Sequence, residues 1–180
     1  DLATRLHKST NLLSHVFVEM MDISKVKGEL IQSVPREFCF KELTNDILAM
    51  VEENYKRKEI QIFNLLPEQM VFADYEMIYS VLMNLCTNAI KFTPIKGEIS
   101  ILGKKISDTH FEVQVKDNGV GIDLNKFQLL MSENKYFTTK GTEGEEGTGL
   151  GLLLCKELIA NNFGTFWAKN NENGGSSFFF

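Results

Sequence analysis

No stretch of this 180-residue chain approaches the roughly 20 consecutive apolar residues that cross a bilayer, and no secretory leader pattern stands at its start. Cysteine is scarce. Cys39, Cys86 and Cys155 are odd in number, far apart and never in a CxxC pair, which argues against metal binding through sulfur. They read as three reduced, small core residues in a cytosolic setting. Clustered positive charge is also missing. The formal net charge is −5 and no long basic block occurs, so nucleic acid is a poor partner. No internal repeat appears. What remains is an ordinary globular balance, 43% hydrophobic and 24% charged, long enough for one domain and an extra element.

Periodicity then divides the chain. Residues 1–28 read as one long helix, with Leu2, Leu6, Leu13, Val16, Phe17, Met20 and Ile23 recurring at helical steps and Gly28 suited to its end. The stripe is wide, which suggests part of a helical hairpin or dimer whose remainder lies elsewhere. After Pro35, "REFCF" is a short strand candidate. "KELTNDILAMVEENYKRK", 41–58, reads as a second amphipathic helix with Leu43, Ile47, Met50 and Val51 inward. "EIQIFNLL" and "MVFA" read as strands. Asp74 is a good N-cap for a helix running to about Phe92, where Pro94 stops it. "GEISILGKKI" and "HFEVQVKD" alternate as strands joined through Ser107 and Asp108. A short helix near 123–131, a Gly-, Thr- and Glu-rich loop at 132–148, and a helix from about Thr148 follow. "TFWAKN", a turn at Asn173 to Gly175, and "SSFFF" close as a hairpin. Clustered helices and antiparallel strands predict an α+β sandwich, its mostly antiparallel sheet covered on one face.

Three stretches carry candidate chemistry. On the helix 75–92, Ile78, Val81, Leu82, Leu85, Ala89 and Phe92 form an apolar stripe, while Asn84, Asn88 and Lys91 share a second stripe at its edge. This polar wall is either a solvated helix edge or a site. Amide oxygens suit Mg²⁺, and an ammonium suits phosphate. "VKDNGVGI" places Asp117 at a strand end beside Gly119, Gly121 and Ile122. Asp-Asn-Gly often merely closes a hairpin. Here the carboxylate could also accept from an exocyclic amine, with the glycines leaving room for a flat ring. "EEGTGLGLLLCKELI" sets Gly147, Gly149 and Gly151 against a helix start. No strand precedes them as in a dinucleotide fingerprint, and no GK[ST] follows as in a Walker loop. A flexible loop before a core helix, or backbone N–H groups aimed at an anion, remain as readings.

The order of these elements is more specific than any one of them. "NLCTNAIKFTP", "DNGVGI", "GTGLGL" and "GGSSFFF" resemble, in sequence order, the N box and glycine motifs of the catalytic, ATP-binding domain of sensor histidine kinases. That domain is kin to those of gyrase, the mismatch-repair ATPases and a heat-shock chaperone. The resemblance implies a two-layer sandwich, a mostly antiparallel mixed sheet covered by about three helices, plus one long N-terminal helix. Residues 1–34 would be the second helix of the dimerisation hairpin with its linker, and 35–180 the catalytic domain. It further implies that Asp117 accepts from the adenine amino group, with Gly119, Gly121 and Ile122 shaping the base pocket. Asn88 would ligate Mg²⁺ with Asn84 beside it, Lys91 would contact phosphate, and Phe92 stands where tyrosine is more frequent. Gly147, Thr148, Gly149, Leu150 and Gly151 would wrap the phosphates, and Lys140 or Lys135 would bring a mobile positive charge from the lid. Phe127 and Phe137 are the candidates for the phenylalanine box. Glu143, Glu145 and Glu146 are expected to face solvent, their repulsion keeping the empty lid open.

Phosphoryl transfer to histidine, water-attacking ATPase action and non-catalytic nucleotide binding remain as competing activities. The ATPase relatives carry a glutamate general base four residues before the Mg²⁺ asparagine, whereas this chain has Asn84, which cannot take a proton. That favours the kinase. The acceptor histidine is expected on an upstream helix outside this chain, because His7 precedes Lys8, His15 precedes Val16, and His110 lies near a turn. The expected partners are ATP and ADP, the missing hairpin, a response-regulator receiver domain and a second copy in the full-length protein. The expected setting is the cytoplasm, including the cytoplasmic part of a membrane-bound sensor.

Overall fold

The computed structural model describes residues 33–134, 137–145 and 147–180. The long helix expected over 1–28, with His7 and His15, lies outside the described residues, as do Lys135 and Glu146.

Two sheets and five helices make up the described chain. β1 (Pro35–Cys39) pairs antiparallel with β3 (Met70–Asp74) in a separate two-stranded ribbon. The main sheet has the order β2-β4-β5-β7-β6, from β2 (Gln61–Asn64), β4 (Glu98–Lys105), β5 (Phe111–Asp117), β6 (Trp167–Asn170) and β7 (Ser176–Phe179). Only β2 and β4 run parallel, so the sheet is mixed and mostly antiparallel, as expected. The helices are α1 (Phe40–Met50), α2 (Glu52–Arg57), α3 (Tyr75–Phe92), α4 (Leu124–Glu133) and α5 (Gly151–Asn161). Among the described residues, no helix is long and apolar enough to cross a membrane.

α3 is the central element. Its stripe of Met77, Ile78, Val81, Leu82, Leu85, Cys86, Ala89 and Ile90 is buried. Leu82 and Leu85 are fully buried, and each such side chain contributes about 2 kcal/mol through lost apolar surface. Asp74 caps the helix as expected, its Oδ1 accepting from the Met77 N–H at 3.0 Å. Its Oδ2 accepts from the Val34 N–H at 2.7 Å, so one carboxylate fixes both the chain entry and the helix start. Burial pushes the Cys86 thiol up to about 12, which keeps it protonated and unreactive.

Two expectations need correction. The helix expected over 41–58 is broken at Val51 (φ −100°, ψ 11°), and Met50 points outward, 69% exposed, its sulfur accepting from the Tyr79 hydroxyl at 2.8 Å. No proline or glycine marks the break. It turns Val51 and Ile60 into the core and carries Lys58 beneath the end of α3. The last helix starts at Gly151 rather than Thr148, because Gly149 has φ +76° and cannot join a right-handed helix.

Candidate functional site

A cavity of about 420 Å³ opens between α3, the end of β5, α4 and the start of α5. Volumes of this order hold small-molecule ligands. Its closed end is built around Asp117, the last residue of β5, which is 3% exposed. Oδ1 accepts from the Gly119 N–H at 2.8 Å and the Ser176 N–H at 3.1 Å, and Oδ2 accepts from the Ser176 hydroxyl at 2.6 Å. A carboxylate offers about four acceptor positions, so one remains, on Oδ2. Asn170 bonds both backbone groups of Ile122: Oδ1 accepts from its N–H at 2.8 Å, and Nδ2 donates to its carbonyl at 2.9 Å. Asn171 donates from Nδ2 to the carbonyls of Asp117 and Ser176, at 2.8 and 2.9 Å. A Cβ at Gly119 would run into the carbonyl of Phe92, so the loop crosses α3 at backbone contact.

Asn84, Asn88, Lys91 and Phe92 line one wall. Asn84 donates from Nδ2 to the Ser80 carbonyl at 3.1 Å, which leaves its oxygen uncommitted. Asn88 makes no side-chain hydrogen bond to a described residue. The Lys91 ammonium lies 4.9 Å from the Phe92 ring centroid. Burial lowers its pKa below 10.5, with the charge of Glu145 acting the other way. Gly121, Ile122, Asp123, Phe127, Phe137, Gly147, Thr148, Gly149, Gly151 and Ser176 complete much of the lining. α5 carries no side-chain cap at its N-terminus, so its first N–H groups are not taken by a capping side chain.

Not every predicted residue comes to the cavity. Gly119 lies behind Asp117 as its donor, Leu150 is buried with its N–H on Thr148 Oγ1 at 3.1 Å, and Lys140 is exposed and absent from the lining. The expectation for the lid glutamates holds in part: Glu143 is exposed, but Glu145 is half-buried, and neither is left as an unpaired, repelling charge. Glu145 is ion-paired to Lys58 at 2.6 Å and Glu143 to Arg57 at 3.5 Å, so these charges fasten the loop rather than repel it. Burial opposes charge on Glu145, yet the Lys58 hydrogen bond, the backbone N–H groups and the Lys58 charge together hold its carboxyl below 4.5. Sequence reasoning missed Ser176, Asn170, Asn171 and Lys58. A signal for Lys58 was present: the steps Ile47, Val51, Tyr55, Lys58 of four, four and three set it on the apolar stripe.

Against known proteins, the sequence profile of the family described as "Histidine kinase-, DNA gyrase B-, and HSP90-like ATPase" matches residues 73–180. The chain belongs to this family. Similar proteins within it include sensory kinases and histidine kinases. The adaptive-response sensory kinase SasA of Synechocystis sp. is 29% identical over 182 residues, covering 100% of this chain and 47% of SasA. SasA of Nostoc sp. is 31% identical, covering 94% of this chain and 45% of its own length. The chain thus spans about half the length of these curated relatives. Among solved structures, the nucleotide-free catalytic domain of histidine kinase ThkA is 33% identical with a TM-score of 0.70, covering 82% of this chain and 93% of ThkA's domain. A structure of ThkA in complex with response regulator protein TrrA matches at 27% identity and TM-score 0.70, over 97% of this chain and 50% of that one. These solved structures share the mixed α+β fold described above.

Proposed function

We propose that the chain is the ATP-binding catalytic part of a sensor histidine kinase. It would hold Mg-ATP so that the γ-phosphoryl group meets a histidine on an upstream helix, for relay to a receiver domain. The observation that carries this reading is the polarity of the cavity. A buried carboxylate with one open acceptor stands at the closed end, and uncommitted amide oxygens, an ammonium and helix-start backbone N–H groups stand at the other. The open position on Asp117 suits an exocyclic amine, and the adjoining glycine backbone suits a flat ring. Lys91 and the α5 start suit phosphate oxygens.

The residues also fit a divalent cation. Among the described residues no cluster of three His, Cys, Asp or Glu side chains is found, so a cation would rely on Asn88, and Asn84 beside it, together with the nucleotide's own oxygens. Bound Mg²⁺ would neutralise charge on the phosphates. The chain's contribution is then positioning: Asp117 fixes the base, Asn88 orients the polar end, and Lys91 offsets charge. Asn84 cannot act as a general base for water, which favours transfer to a histidine over hydrolysis. The ThkA–TrrA assembly supports a receiver domain as the eventual partner.

Calorimetry with Mg²⁺ and a non-hydrolysable ATP analogue tests the binding half. Incubation with γ-labelled ATP tests the chemistry. We expect negligible self-labelling, slow phosphate release, and transfer once a hairpin bearing the acceptor histidine is fused upstream. Strong acid-labile label on His7 or His15 would overturn the assignment of the acceptor. Fast phosphate release that survives Asn84→Ala but not Asn88→Ala would indicate an ATPase.

A further inference from the structure

Lys58 does not line the cavity described above, yet it is the most completely buried charged side chain among the described residues. Its ammonium sits at the C-terminal end of α3. There it donates to the carbonyls of Ile90 at 2.9 Å, Lys91 at 3.1 Å and Thr93 at 3.4 Å. From the loop it meets Thr142 Oγ1 at 2.8 Å and Glu145 Oε1 at 2.6 Å. An ammonium has three hydrogens. The three shortest contacts therefore divide between one helix carbonyl and two loop residues.

The loop repeats these attachments. The Thr142 N–H donates to the Lys91 carbonyl at 3.0 Å, and its hydroxyl oxygen lies 3.0 Å from the Thr93 carbonyl. The Gly141 N–H donates to the Glu145 carbonyl at 2.9 Å, and Glu145 Oε2 accepts from the Glu143 N–H at 2.8 Å. Segment 141–145 is thus folded on itself and fastened to the end of α3. Lys91 runs through that junction. A Cβ on Gly141 would lie 2.6 Å from Lys91 Cγ, and one on Gly147 2.5 Å from Lys91 Nζ.

We propose that Lys58 is a positioning residue: through Glu145 and Thr142 it fastens the base of the lid to α3, and so holds the Lys91 ammonium at the phosphate end of the cavity. The proposal rests on the reading of that cavity as a nucleotide site. It goes beyond a helix cap, because a cap alone would need the three carbonyls and not the loop carboxylate.

Lys58→Met strips α3 of its partner and risks the fold, so the decisive variant is Glu145→Gln in the 180-residue chain. Its glutamine has one acceptor atom and must turn an NH₂ group toward either Lys58 or the Glu143 N–H. Without nucleotide, amide exchange across 137–145 should quicken about tenfold at an unchanged Tm. A Mg²⁺-loaded ATP analogue should bind about fivefold more weakly, the loss of part of one charge-assisted contact. In a Lys91→Met background the same substitution should cost no further affinity, because the effect passes through Lys91. Unchanged exchange in Glu145→Gln overturns the fastening. An equal affinity loss in both backgrounds overturns the role through Lys91. A parent chain that binds no analogue, but whose loop exchanges faster after Glu145→Gln, overturns the nucleotide reading and supports the fastening.

Discussion

The two ends of the cavity are held by different means. At the base end every anchor belongs to the main sheet or its turns. Asp117 closes β5, Ser176 opens β7, and Asn170 ends β6 opposite Ser176 in the ladder. The bonds that Asp117 accepts from Gly119 and Ser176, 2.6 to 3.1 Å, tie the ends of β5 and β7 together, while the Asn170 side chain holds Ile122. At the lid end, the described residues between α4 and α5 form no helix or strand, and they are attached by a few bonds: to buried Lys58, to the carbonyls that end α3, and to Arg57. A preorganised base pocket loses little freedom when it binds, whereas a loop released by a few bonds can open without unfolding the domain. On the proposed reading, recognition and gating would be separated in space, joined by α3, which supplies Phe92 at one end and Lys91 at the other.

The sharpest way to break the base end is Gly175→Ala. Gly175 has φ +82°, and its Cβ would collide with the Asp117 carbonyl. We expect a stability loss of about 2–4 kcal/mol in urea denaturation. A loss under 1 kcal/mol would mean that the hairpin turn is not fixing Asp117.

Asp117→Asn separates binding from folding at the same place. The Ser176 hydroxyl can rotate and accept, so the variant should stay folded. The open position would now present a donor to a donor, and ATP-analogue affinity should fall about tenfold or more, the cost of a charge-assisted hydrogen bond of about 1.5–3 kcal/mol. Equal affinity by calorimetry would remove Asp117 from the site. Asn170→Ala is milder. It deletes two hydrogen bonds to Ile122 and should weaken the analogue by about 1 kcal/mol while leaving exchange across 137–145 unchanged. Faster lid exchange in that variant would show the two ends to be coupled through the sheet.

What was legible in the sequence follows the same division. The Asp74 cap, the buried stripe of α3 and the strand ending at Asp117 are local signals, carried by spacing within one element. The pairing of β1 with β3 across 30 intervening residues has no such signal. Nor has the break at Val51, which tertiary packing imposes on a helix-forming run. Ser176 reads as a strand residue until the fold sets it against Asp117. The glutamates at 143 and 145 look like solvated charge because their partners, Arg57 and Lys58, stand 86 and 87 positions earlier. Long-range polar pairs are the part of a site that composition hides.

The smallest expected effect is also the most selective for the lid end. Glu145 is faced by Lys58 from the end of α2, by Lys91 from α3, and within the loop by Glu143, itself paired to Arg57. Its folded pKa is depressed below 4.5. A depressed carboxylate binds protons more weakly folded than unfolded, so its contribution is complete above the unfolded value and disappears as pH falls through the folded one. The lid should therefore hold at pH 7 and at pH 5, and loosen only below 4.5. Because Glu145 keeps 28% of its side-chain surface, the change in overall stability should be slight. The measurable quantity is exchange at Gly141, Thr142 and Gly144, corrected for the intrinsic pH dependence of amide exchange and compared with the Glu145→Gln chain. The parent should approach the variant's rate as pH falls below 4.5, while amides of β5 and β7 keep their protection. Loss of protection in β5 and β7 at the same pH as the lid would mean that the two ends open together.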